Sequence, residues 1–211
     1  MLKKVAAKIL PLGLLVSTLS YAHPQENQNG PNPTDVFIES ITYGGTGCPQ
    51  GTVEESISDD RETFTLIYDQ FVASKGPGVP ITESRKNCEL SIALHVPQGF
   101  SYSIVNLENR GYVQLDANMT STAQSAFHFA GRTKSVDFKL DFVGPVAKDY
   151  MTLNRVKVRD HVWSSCNATE ALIINTQVLI EGGGANSQGQ MTVDSTDGKI
   201  EHKFGIMWKR C

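Results

Sequence analysis

Between Cys88 and Val96 every second side chain is apolar: Leu90, Ile92, Leu94 and Val96 alternate with Glu89, Ser91, Ala93 and His95. The segment VDFKLDF repeats the pattern, with Val136, Phe138, Leu140 and Phe142 set against Asp137, Lys139 and Asp141. A period of two puts one face of a strand on a core and the other in water, which antiparallel sheets accommodate. Further strand candidates are 36–43, 52–57, 63–72, 100–107, 111–116, 123–130, 156–163, 170–180, 190–194 and 199–208. Turn signals fall between them in KGPGVP, PQG, ENRG, DFVGP, EGGGANSQG and STDG, each rich in residues that accept turn conformations. ALIINTQVLI is apolar at nearly every position, as suits a strand in the middle of a sheet. No segment carries helical periodicity. The expected fold is all-β, a two-sheet antiparallel β-sandwich of the class that includes the jelly roll.

The N-terminus points to export. Lys3, Lys4 and Lys8 precede an apolar run from Ile9 to Leu19 that ends in Ser20-Tyr21-Ala22, the layout of a signal peptide cleaved after Ala22. The run is too short to cross a bilayer, which takes roughly 20 apolar residues. Residues 1–22 are therefore read as signal, the polar, proline-bearing 23–34 as a flexible leader, and 35–211 as one β-sandwich domain, secreted and without a membrane span. Loss of three lysines lowers the 19 basic residues to 16 against 22 acidic ones, a formal charge of −6. That balance argues against nucleic acid as a partner, because phosphate contacts require clustered Lys and Arg.

The cysteines staple this frame. Cys48, Cys88, Cys166 and Cys211 are four in number, and an even count in an oxidising compartment reads as two disulfides. Three pairings are open. Trp163 and Cys166, like Trp208 and Cys211, stand three apart, and this repeated spacing favours Cys166 with Cys211, leaving Cys48 with Cys88. Each bridge then closes a loop of about 40 residues and contributes roughly 4 kcal/mol on the chain-entropy model. The cysteines are scattered singly, unlike the paired spacing of zinc sites.

ITYGGTGCPQGTV, residues 41–53, resembles a phosphate loop only in its glycines. It lacks the lysine and the following helix that hold phosphate, so it is read as a tight turn presenting Cys48. His23 would be the first residue after cleavage, and an N-terminal histidine on an exported sandwich can form a copper brace with a second histidine; His95, His128 and His161 are the partners that strand parity turns outward. The loose character of the leader weighs against that chemistry, and no cofactor is expected. No Gly-x-Ser-x-Gly elbow occurs, and a carboxylate pair for glycoside hydrolysis is not identifiable from sequence. Asp59-Asp60 and 194–199 are read as turns rather than calcium loops. Asn118 and Asn167 open Asn-x-Thr sequons, acceptors for glycan in a eukaryotic host. Trp163 and Trp208 are assigned to packing beside the second disulfide, with Tyr43, Tyr112 and Tyr150 as weaker sugar-stacking candidates.

The segments GGTGCPQGTV, KGPG, RKNCELSIALHVPQGFSYSIVN, RGYVQLDA, WSSC, LIINTQVLI and the closing WKRC, in this order from about Val36 to Cys211, resemble a family of secreted proteins common in filamentous fungi and defined by a domain of unknown function. The resemblance implies a disulfide-bearing secreted β domain and carries over no catalytic residue; its matched cysteines have a structural role. His23 lies outside it. The sequence as a whole is read as a non-enzymatic binding or interaction protein at or outside the cell surface, its partner a cell-wall glycan or another secreted protein. Two readings compete: a polysaccharide-active enzyme, copper-dependent through His23 or hydrolytic, and a secreted effector or inhibitor that recognises another protein.

Overall fold

The computed structural model describes residues 35–59, 63–193 and 200–211. The expected signal peptide and leader, with His23, lie outside the described residues, as do Asp60 and the whole of 194–199. Among the described residues the strands are β1 (Phe37–Gly44), β2 (Val53–Ile57), β3 (Thr63–Tyr68), β4 (Val72–Lys75), β5 (Arg85–His95), β6 (Phe100–Leu115), β7 (Met119–Phe129), β8 (Val136–Val143), β9 (Val146–Arg155), β10 (Leu172–Gly182), β11 (Gly189–Thr192) and β12 (Ile200–Arg210). One sheet has five strands in the order β1-β5-β10-β7-β8. The other runs β2-β3-β12-β6-β11-β4, with β9 also paired to β6. All pairings are antiparallel. No helix among the described residues is long and apolar enough to cross a membrane.

The core lies between the sheets. The alternating faces of β5 and β10 deliver Leu90, Ile92, Ile174 and Val178, and β3 and β6 deliver Phe64, Leu66, Tyr102 and Ile104, all fully buried. Each such side chain contributes about 1.5–3 kcal/mol through the apolar surface it removes from water. Tyr102 meets Phe129 edge-on across the gap, ring centroids 5.2 Å apart, and Phe142 meets Tyr150 at 5.2 Å. Such offset aromatic pairs add to the burial term.

The second sheet is organised by β6. One of its edges pairs with β12 over Phe100–Asn109 and then with β11 over Val113–Leu115. Its other edge pairs with β9 from Asn106 to Leu115. Gly111 sits where the first edge passes from β12 to β11. A side chain there would collide with the Thr192 carbonyl and the Tyr150 ring, and the Tyr150 hydroxyl instead donates to the Thr192 carbonyl at 2.6 Å. The 100–107 and 111–116 segments, expected as two strands, are thus one. The ENRG stretch runs straight, with Arg110 Nε donating to Glu108 Oε1 at 2.6 Å on its outward side. What breaks the period is a bulge. Ile206 and Gly205 oppose Ile104 and Asn106, leaving Val105 unpaired with β12, so the inward set shifts from Tyr102 and Ile104 to Leu107 and Val113. Asn106 Oδ1 locks the bulge by accepting the Gly205 N–H at 2.7 Å.

Three other expectations change. The 63–72 segment turns at Asp69-Gln70 and resumes as β4. Residues 156–163 form no strand; the chain from 156 to 167 follows β6 irregularly, its Val156, Ser164 and Asn167 amides donating to the carbonyls of Val105, Tyr102 and Phe100. The strand that the sequence reading omitted is β9. It pairs only with β6 and turns Met151 and Leu153 outward while Tyr150 is buried, so its apolar pattern is the reverse of a core strand's.

Candidate binding face

Two disulfides fasten the frame at different depths. Cys48–Cys88 is fully buried, with Cα atoms 5.5 Å apart. Cys166–Cys211 has Cα atoms 6.1 Å apart, and both residues are exposed. The glycine loop serves the first bridge. Gly45 adopts φ 145°, and a side chain on it would strike the Asn87 carbonyl; Gly47 N–H donates to that carbonyl at 2.9 Å. The loop therefore lies flat on β5 and feeds Cys48 inward, a conformation only glycine supplies without strain.

Residues that face outward on the five-stranded sheet form a continuous polar surface. Asn87, Gln177 and Gln124 are direct neighbours in register across β5, β10 and β7, and Lys139 on β8 extends the row. Strands lie about 4.8 Å apart, so three carboxamides line up over roughly 10 Å. Arg85 Nη2 donates to Gln177 Oε1 at 2.6 Å, which orients the Gln177 amide with its N–H groups free to turn outward. Asn87 Oδ1 accepts from the Thr46 hydroxyl at 3.1 Å, which orients the Asn87 amide likewise. The next row carries Asn175, Ala126 and Asp137 in register. Between the rows lies a groove of about 290 Å³ walled by Arg85, Asn87, Gln124, Asn175 and Gln177, with Ala126 on its floor. At its margin Thr122 Oγ1 donates to Asp141 at 2.6 Å and the Lys139 ammonium stands 3.0 Å away; together they hold the Asp141 carboxyl below its ordinary range. The surface offers fixed donors and acceptors of both kinds, the complement of a hydroxyl-rich ligand.

A second polar ledge lies on the other sheet. Ser74, Gln190 and Gln114 are in register across β4, β11 and β6, and the adjoining cavity of about 340 Å³ is lined also by Gln188, Pro77 and Val79.

The residues singled out from sequence are dispersed. His95 Nδ1 lies 3.0 Å from Glu39 Oε1 and stacks on Phe37 at 4.6 Å; a bulge that leaves Glu39 unpaired in β1 permits this contact. His128 faces outward opposite Ile173. His161 lies edge-on to Trp163 at 6.1 Å, outside both strand ladders. Among the described residues no three His, Cys, Asp or Glu side chains gather as a metal-ligand set. Trp208 joins the core against Tyr102, whereas the half-buried Trp163 has the Lys209 ammonium 5.2 Å over its ring. The Tyr150 ring is buried and its hydroxyl bonded, so it does not serve sugar stacking. Tyr43 accepts the Gly51 N–H at 2.6 Å, and Tyr112 donates weakly to Gln114 at 3.4 Å. Asn118 and Asn167 are exposed.

The carboxamide row was missed because its members are 37 and 53 residues apart in sequence and each, read alone, is an ordinary polar position. The outward parity of NCE, AQS and NTQ was visible, but the register that aligns them was not.

A family model described as a domain of unknown function, DUF4360, matches residues 34–211. An uncharacterized secreted protein of Arthroderma benhamiae is 42% identical over 183 residues, covering 87% of this chain and 75% of that one. Among solved structures, TmCBM61 in complex with β-1,4-galactotriose aligns over 82% of this chain and 90% of its own at 11% identity and a TM-score of 0.25. The enzymatically active domain of bacteriophage CBA120 tailspike protein 4 aligns over 83% of this chain and 20% of its own at 13% identity and a TM-score of 0.26. The ligand and activity in those titles belong to those proteins.

Proposed function

We propose, for a chain that belongs to the DUF4360 family, that it is an exported binding protein whose five-stranded sheet receives a polysaccharide across its outward face. The observation that carries this reading is the aligned row of Asn87, Gln177 and Gln124, with Arg85 bound to Gln177. Sugar hydroxyls both donate and accept, and oriented carboxamides match them at no cost in charge desolvation. Export is supported by the signal-like N-terminus and by the secreted relative. A binding role is favoured over catalysis because carboxamides do not titrate, so the row cannot transfer protons as a general acid or base. The test is incubation of the mature protein with insoluble chitin, glucan and cellulose, with both bound protein and released sugar measured. Retention without release supports the reading. Release of soluble sugar makes the protein an enzyme, with dependence on copper separating oxidation from hydrolysis, and the absence of both turns the search to protein partners.

A further inference from the structure

We propose that Asn118 and Asn167 both carry N-linked glycans, placed at opposite poles of the sandwich so that neither covers the outward face of the five-stranded sheet. Asn118 lies in the turn from β6 to β7 at φ 61°, a conformation that asparagine tolerates better than other non-glycine residues. Its carbonyl accepts the Gly183 N–H at 2.8 Å, which fixes the turn, and its side chain has no hydrogen-bond partner among the described residues. Met119, the middle residue of the sequon, is fully buried, while Thr120 is exposed beyond it. The asparagine and the threonine therefore stand out on either side of an anchored point.

Asn167 follows Cys166 at φ 69°. Its N–H donates to the Phe100 carbonyl and its Oδ1 accepts the Gly99 N–H, both at 2.8 Å. An N–H can be accepted only by the amide oxygen, so Nδ2 is the atom left over, and it has no partner among the described residues. Glycosylation replaces one hydrogen on Nδ2 and leaves Oδ1 as an acceptor. The Gly99 contact therefore survives modification. In the transfer, Nδ2 forms a bond to C1 of the sugar, the bond from C1 to phosphate of a polyprenyl-diphosphate donor breaks, and the amide proton leaves as the diphosphate departs.

The placement follows from β6. Asn167 holds Phe100, where β6 begins, and Asn118 stands just past Leu115, where it ends. Sixteen residues of strand span roughly 50 Å. The glycans thus project from the two ends of the sheets rather than from their faces. This inference rests on export through a eukaryotic secretory route and not on polysaccharide binding, so either can fail alone.

The full chain is expressed in a secreting yeast and peptide-mapped from medium and cell extract alike, with and without an amidase that converts glycosylated Asn to Asp. Thr120→Ala and Thr169→Ala remove one sequon each without touching the φ-positive asparagines; Thr120→Ser and Thr169→Ser retain both. The expected result is conversion at both sites in the parent and the Ser variants, with one site lost in each Ala variant. Recovery of unmodified Asn118 or Asn167 from the secreted protein, or from the cell-retained protein if secretion fails, overturns the proposal.

Discussion

The Arg85 guanidinium donates to Gln177 Oε1 at 2.6 Å across β5 and β10, joining residues 92 apart in sequence. This contact presets the Gln177 amide within the carboxamide row, so its loss should be felt in binding more than in stability. Gln177→Ala is expected to weaken retention on the bound polysaccharide about tenfold, the equivalent of one net hydrogen bond of roughly 1.4 kcal/mol. Arg85→Ala should do the same. Both positions lie on the solvent side of the sheet, and stability should stay within about 0.5 kcal/mol of the parent. Thermal melting alongside a retention assay separates the two effects.

Gly111 carries the junction at which β6 exchanges β12 for β11. Adding one methyl group drives it into a backbone carbonyl and the Tyr150 ring, neither of which moves cheaply. Gly111→Ala is expected to cost about 3 kcal/mol, lowering the melting temperature by about 6–12 °C in a chain of this size. Tyr150→Phe keeps the ring, removes the bond to the Thr192 carbonyl and should cost about 1 kcal/mol. Equal effects from the two variants would contradict the steric account.

The disulfides should differ in accessibility. Cys48 and Cys88 are 0% and 1% exposed, whereas Cys166 and Cys211 are exposed, and thiol–disulfide exchange requires the attacking thiolate to reach sulfur. Mild reductant on the folded protein, followed by alkylation and peptide mapping, should label Cys166 and Cys211 while Cys48 and Cys88 remain joined. Labelling of Cys48 first would show that the glycine loop opens more readily than its packing suggests.

Glu170 ties the Cys166 turn together. Burial pushes its carboxyl up, but the Ser165 hydroxyl and N–H, with the Arg132 guanidinium 3.2 Å away, outweigh this and hold it below its ordinary value of 4.5. A depressed folded value means the contribution to stability is complete above pH 4.5 and is lost as pH falls through the folded value. Glu170→Gln should flatten the acid limb of the stability curve while lowering stability at neutral pH. An unchanged acid limb in denaturant titrations between neutral and acid pH would contradict this role.

Much of the fold could be read from alternation because most strands bury one face and expose the other, and the CELSIALHV and VDFKLDF segments are clear instances. Reading failed where tertiary contacts override local signals. ENRG looks like a turn, yet it lies within β6 because β9 pairs along its whole length while β12 holds Glu108 and Asn109 from the other edge. The KVRDHVW stretch looks like a strand, yet it pairs irregularly beside β6, with a short 3-10 turn at Val158–Asp160. β9 was hidden because its outward apolar residues lie where a core strand carries polar ones. The candidate face was the least legible part. Sequence shows which side chains point outward, but strand register decides which of them meet, and register between distant strands depends on how the whole sandwich closes.

The central claim is that ligand lies along the Asn87–Gln177–Gln124 row, and the most direct measurement is a backbone and side-chain amide NMR titration of the mature protein with soluble oligosaccharides of whichever polysaccharide retains it. The account predicts shifts confined to β5, β10 and β7, with the side-chain amides of Asn87, Gln124 and Gln177 among the largest. Shifts centred instead on Ser74, Gln114 and Gln190, or none at saturating sugar, would contradict it.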